Sequence, residues 1–203
     1  MKHLEIPSHI KALIFDIDGT LVDTMPTHYK ACQLACNKHG FNFPLEYFLS
    51  EAGRPTLSVF EDLIKKLGLD LDGRQLGIEK ELILESLIGE FKPMPIISDT
   101  AIYYHNKLPM ALGTGGTKII AQKTMTQVKL NSLFEVVITA DDVSQHKPNP
   151  ETFLKAAEQL NIAPEACLVF EDGEPGIEAA KSANMEVLDI RTVVPTPNYE
   201  ELI

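Results

Sequence analysis

At 203 residues the chain has room for one ordinary domain, or for one domain carrying a modest insertion. Its composition, 44% hydrophobic and 23% charged, is that of a soluble globular protein, and a net charge of −11 excludes a general affinity for nucleic acid or an anionic membrane. A chain this acidic can hold an anion only by concentrating positive charge locally, in a metal ion or a few basic side chains.

No apolar stretch approaches the roughly 18 residues that a membrane span needs. The opening MKHLEIPSHIKALIFD is not a signal peptide, because Glu5, Pro7 and His9 interrupt any apolar core. Three cysteines form no disulfide framework, so a reduced, cytoplasmic setting is expected.

In chain order, residues 12–15 form the first apolar run and predict a buried strand. Residues 24–92 then show no convincing strand, only helical patterns over 27–39, 45–52, 57–67 and 74–91. Pro26, Pro44 and Pro55 suit first turns, and Gly40, Gly53 and Gly68 suit helix ends. Pro93-Met94-Pro95 reads as a return hinge. Strands follow at 110–112, 136–138, 167–170 and 187–190, with helices at 117–130, 151–160 and 176–183, and only the last few residues read as a tail. Continuous apolar strands alternating with helices predict an α/β fold with a doubly wound parallel sheet. Residues 1–23 and 93–203 would form its core, and 24–92 an inserted helical cap.

In an open α/β sheet, ligands bind beyond the carboxyl ends of the strands. The segments found there are Asp16-Ile17-Asp18-Gly19-Thr20, Gly113-Thr114-Gly115-Gly116, His146-Lys147-Pro148 and Glu171-Asp172-Gly173. These residue types suit phosphoryl transfer. Asp16, at a strand end, can attack phosphorus, which divides one hard hydrolysis into two easier steps. Asp18 points the same way in extended chain and can protonate the leaving oxygen, then activate water. So many carboxylates in one cleft need a cation, and Mg2+ suits Asp16, the Asp18 backbone carbonyl and Asp172, with Glu171 beside them. The Thr114 hydroxyl with nearby amides, Gly115 among them, and Lys147 would hold the phosphoryl oxygens.

Blander readings exist for each. Asp16 and Asp18 could form a strand-end turn, Thr114 a helix N-cap, and Lys147 a solvated loop residue. His28, Cys32, Cys36 and His39 share a helical face. They spread over about 16 Å at 1.5 Å per residue, too far to converge on one zinc ion, so buried cysteines are expected. His28 and Arg54 are left as candidates for substrate contact, Arg54 with a salt-bridged surface role as its alternative.

DIDGTLVDT resembles the first motif of the haloacid-dehalogenase superfamily, Asp-x-Asp-Gly-Thr/Val. Thr114 matches the Ser/Thr of the second motif, Lys147 in HKPNPETF the third, and Glu171-Asp172 in VFEDGEPGIEAA the fourth. All four stand in family order, and the resemblance covers nearly the whole chain. The insert resembles the cap of the β-phosphoglucomutase-like branch, where His28 in DTMPTHYK matches a His at the cap's entry. Within that branch GTGG, QHKPNPETF, FEDGEPGI and the closing LDIR are most similar to sugar-phosphate phosphatases of the fructose-1-phosphate type.

The resemblance implies a Mg2+-dependent phosphatase acting on a small phosphorylated metabolite, as a monomer or weak oligomer. Two rival readings are a phosphosugar mutase and an inactive binding relative. Where the mutase cap carries a Lys-Gly-x-Ser-Arg run, this chain has Ala52-Gly53-Arg54-Pro55-Thr56, which lacks the Lys and moves the Arg. A dehalogenase would need neither Asp18 nor a metal.

Overall fold

The structure is a computed structural model that describes residues 2–195; the expected C-terminal tail lies outside the described residues. Its centre is strand β1 (Ala12–Phe15), every residue of which is buried. Leu13 and Phe15 enter the apolar cluster on one face of the sheet, and Ala12 and Ile14 the cluster on the other. That alternation, with apolar residues on both faces, is why the run ALIF reads as continuously hydrophobic. Strands β4 (Met110–Gly113), β5 (Val136–Ile138), β6 (Cys167–Glu171) and β7 (Glu186–Asp189) complete a five-stranded parallel sheet in the order β5-β4-β1-β6-β7. Phe15 is in register with Leu112 on one side and Phe170 on the other, and the two phenyl rings stack 4.4 Å apart. Strands that run parallel deliver their carboxyl ends to one edge, so the four segments singled out above all reach that edge.

Helices α1 (Met25–Asn37), α2 (Leu45–Ser50), α3 (Thr56–Leu67) and α4 (Gly73–Leu87) lie in sequence between β1 and β4. Met25, Tyr29, Phe43, Phe60 and Leu63 build a separate apolar cluster among them. Gly68 closes α3 with φ +64°, a left-handed conformation that glycine adopts without a Cβ penalty, and the Asp72 side chain caps α4 by accepting from the Gln75 amide at 3.0 Å. The chain enters and leaves the insert through β2 (Val22–Asp23) and β3 (Lys92–Pro93), an antiparallel pair two residues long. Too short for any alternation, that pair was absent from the sequence pattern.

Two other differences have physical causes. Helix α5 (Pro95–Tyr104) had no counterpart in the sequence reading, because PIISDTAIYY is apolar on most of its positions and shows no clear stripe. Helix α4 stops at Leu87, short of the expected Phe91, and tightens into a single 3-10 turn over Ile88–Glu90. The remaining helices are α6 (Lys118–Gln127), α7 (Glu151–Leu160) and α8 (Glu174–Ser182). Among the described residues no helix is long and apolar enough to cross a membrane.

Because Phe170 stacks on Phe15 at the middle of the sheet with no exposure, its truncation leaves a cavity that the parallel strands cannot collapse. Phe170→Ala is expected to cost about 3–5 kcal/mol of stability, read as a lower urea midpoint at unchanged slope. A loss below about 1 kcal/mol would contradict this packing.

Candidate active site

Asp16 follows β1 directly, and its amide donates to the Phe170 carbonyl at 3.0 Å, so the sheet still holds the backbone where the strand ends. The Lys147 ammonium lies between two carboxylates, 2.7 Å from Asp16 Oδ1 and 2.7 Å from Glu171 Oε2, with the Phe153 ring centroid 4.7 Å away. Its side chain has no exposure. The other oxygen of Glu171 accepts from the amides of Asp172 at 3.1 Å and Gly173 at 3.0 Å. Asp172 in turn accepts from the Thr20 hydroxyl at 2.9 Å. Gly19, at φ +83°, lies against the Asp172 carboxylate, where any side chain would collide with it.

Oxygens of Asp16, Glu171 and Asp172 lie within 4.8 Å of one another. Burial pushes the Asp16 carboxyl well above its ordinary value; Glu171 raises it further, and Lys147 offsets only part of the rise. Burial and Glu171 likewise push Asp172 up to about 7. A cluster of hard oxygen donors that cannot all ionise beside a single ammonium fits a hard divalent cation. Within it Glu171 has both oxygens engaged by Lys147 and backbone amides, which leaves Asp16 and Asp172 as the better placed donors.

The Asp18 carboxylate is held elsewhere. The strand ends at Phe15, and the amides of Thr20, Leu21 and Val22 all turn back to the Ile17 carbonyl, so the extended alternation expected to align Asp18 with Asp16 does not continue. Asp18 Oδ1 accepts from the Thr24 hydroxyl at 2.8 Å and lies 3.3 Å from His28 Nε2. Lys80 Nζ is 3.2 Å from His28 Nδ1, and an ammonium can only donate, so Nδ1 accepts and the ring proton sits on Nε2, facing Asp18. Burial raises the Asp18 carboxyl, but His28, Thr24 and Lys80 outweigh it and hold the group below its ordinary value.

Asp16, Asp18, His28, Arg54, Thr114 and Gly115 all line one cavity of about 340 Å³ between the helical insert and the sheet edge. The Thr114 hydroxyl accepts from the Gly116 amide at 3.0 Å. Arg54 is already bound within the insert, by Glu51 and by Asp62 at 2.9 Å. The loop between α2 and α3 rests on the edge through its backbone. The Gly53 carbonyl occupies the space that a Cβ on Gly115 would need, and the Ala52 carbonyl lies 2.8 Å from where a Cβ on Gly173 would stand. Cys32 and Cys36 pack into the insert's core, their thiols pushed up to about 12 by burial, and His39 faces Glu79 at 3.2 Å.

The sequence reading assigned no role to four residues of this arrangement. Thr20 and Thr24 stand inside DIDGTLVDT, Thr24 at an N-cap position where its hydroxyl goes to Asp18 instead of the helix. Lys80, only 2% exposed, sits one turn from Leu76 and one turn from Leu84, so a cation in the apolar stripe of α4 was its signal. Glu81 beside it carries no such mark.

The haloacid dehalogenase-like hydrolase family matches residues 13–190, and the chain belongs to that family. Fructose-1-phosphate phosphatase YqaB of Escherichia coli is 37% identical over 88% of this chain and 95% of that protein. A phosphorylated carbohydrates phosphatase of Thermotoga maritima is 30% identical over 87% of this chain and 83% of that protein. Among solved structures, a β-phosphoglucomutase of Clostridium difficile superposes with a TM-score of 0.78 at 27% identity, over 95% of this chain and 87% of its own.

The raised carboxyls set a pH dependence. In the folded cluster Asp172 keeps its proton up to about pH 7, whereas the unfolded chain releases it near the ordinary 3.8. The stability this lends is full at low pH and is lost as pH rises through the folded value. Metal-free protein should therefore melt at a lower temperature at about pH 8 than at about pH 5, and Mg2+ should raise the melting temperature more at the higher pH. An equal effect of Mg2+ at both would contradict the shared cluster.

Proposed function

We propose that this phosphoric monoester hydrolase removes phosphate from a small sugar phosphate, such as fructose 1-phosphate, through an aspartyl-phosphate on Asp16. The observation that carries the reading is the division of the carboxylates: Asp16 is held by Lys147 beside Asp172, while Asp18 is held apart by Thr24 and His28 on the same cavity. Asp18, held as an anion by its partners, takes up a proton as the phosphate dianion enters the cavity; Asp16 then attacks phosphorus as the bond to the leaving oxygen breaks, and Asp18 passes that proton to the oxygen. Asp18 then takes a proton from the water that attacks the phosphorylated Asp16, which frees phosphate and restores the carboxylate. Lys147, the Thr114 hydroxyl and the Gly115 amide hold the phosphoryl oxygens as charge shifts onto them. Asp16, Asp172 and the Asp18 backbone carbonyl would hold Mg2+, which would supply charge neutralisation at the cluster. Among the described residues, 24–92 act as the cap over a core formed by 2–23 and 93–195, and the three buried, unpaired cysteines suit a cytoplasmic setting.

The likeness to a β-phosphoglucomutase keeps one rival in view. A mutase must grip a second phosphate at the cap, and the cap arginine, Arg54, is already matched by Glu51 and Asp62. Hydrolysis is therefore favoured over transfer. With fructose 1-phosphate or a hexose 1-phosphate, free phosphate and free sugar should appear together, chelation should stop both, and added hexose bisphosphate should not convert one isomer into another. Isomer conversion faster than phosphate release would overturn the phosphatase reading. Asp16→Asn, isosteric at a strand end, should lose several orders of magnitude in turnover while still binding phosphate. Turnover near that of the parent would assign the attack to another group.

A further inference from the structure

The cap's end of the cavity holds a carboxylate that the chemistry above leaves unused. Glu81 lines the cavity next to Lys80, its side chain 26% exposed, and its Oε1 accepts from the Lys80 ammonium at 3.0 Å. Burial pushes the Glu81 carboxyl up, but the Lys80 charge and hydrogen bonds from Thr56 and Lys80 outweigh it, so the group is an anion at neutral pH. Lys80 is likewise held as a cation, the cost of its burial outweighed chiefly by Glu81.

Among the described residues lining this end, every other cation also faces a carboxylate. Arg54 is bound by Glu51 and Asp62, and Arg74, 64% exposed, has Glu61 at 3.8 Å. A carboxylate offers about four acceptor positions, and Lys80 occupies one on Glu81, which leaves acceptor capacity for a donor inside the cavity.

We infer that Glu81 is a specificity-determining residue, accepting a hydroxyl of an uncharged, polyhydroxylated leaving group and turning away substrates that carry a second anion. This rests on the phosphatase reading. A hydroxyl donated to an ionised carboxylate forms one of the stronger hydrogen bonds, and a cavity that offers such an acceptor discriminates against analogues without the hydroxyl. A carboxylate or second phosphate in the same place would meet Glu81 and Glu51 with no unopposed cation to receive it, which is discrimination by repulsion. The cap thus selects by its anions as well as by its shape.

The test is phosphate release by the full chain with Mg2+ from three monoesters: fructose 1-phosphate, 2-phosphoglycolate, and phenyl phosphate as a reference that lacks both hydroxyls and a second charge. The parent enzyme should favour fructose 1-phosphate. In Glu81→Gln, which keeps the volume, kcat/KM for fructose 1-phosphate relative to phenyl phosphate should fall about tenfold, mostly through KM, and the 2-phosphoglycolate ratio should rise severalfold. Glu81→Ala should move both ratios the same way. If all three substrates fall in parallel in both variants, Glu81 serves only to hold Lys80, and the inference is wrong; unchanged ratios overturn it equally. If the parent releases phosphate from none of the three, the phosphatase reading itself fails and takes this inference with it, whereas an active parent with unmoved ratios sinks the inference alone.

Discussion

The ammonium of Lys147, wholly out of water and shared between Asp16 and Glu171, is the interaction on which the rest of the site depends. Three carboxylates gather at the end of a sheet whose strands are fixed by apolar packing on both faces, so they cannot spread apart to relieve repulsion. A buried charge without a partner is far costlier than a pair, and Lys147 is partnered twice. Glu171 completes the fixture by tying Lys147 to the backbone amides of Asp172 and Gly173. The arrangement passes rigidity from the sheet to a flexible four-carbon side chain.

Two carboxylates separated by one residue end up in opposite electrostatic surroundings. Asp16 is raised by burial and by Glu171, whereas Asp18 is lowered through His28, Thr24 and Lys80 despite its burial. The shifts distinguish two residues of one type, and a divalent cation bound at the cluster would reverse the rise that burial and Glu171 impose on Asp16. The means here is topological: Asp16 still belongs to the sheet, while the turn around Ile17 hands Asp18 to the helical insert. The insert therefore reaches toward the chemistry through Lys80, which lies 3.2 Å from His28 Nδ1, and through His28, whose Nε2 lies 3.3 Å from Asp18 Oδ1.

The sheet was legible because β1, β4 and β6 are buried on both faces and so read as unbroken apolar runs, each followed by a polar segment. The same logic hid α5, which is nearly as apolar as a strand and carries no stripe. Asp16, Lys147 and Asp172 stood out because each directly follows a strand or sits in a short motif. The partners of Asp18 did not, because Thr24 lies past the strand end at the start of α1, and Lys80 reaches His28 from fifty-two residues away in sequence. Arg54 was open between two readings, and the structure shows features of both, an ion pair with Glu51 and Asp62 and a place on the cavity wall.

The contact between the α2–α3 loop and the sheet edge has a consequence for how such an enzyme can diversify. Gly115 and Gly173 receive the carbonyls of Gly53 and Ala52, main chain against main chain. A seam of that kind depends little on the loop's side chains, provided Gly115 and Gly173 stay bare and position 53, at φ +85°, stays glycine. Residues at 54 and 56 can then be exchanged without remaking the join, and each exchange alters what the cavity admits. The join and the cavity wall are made by different residues of one short segment, so one can drift while the other stands still.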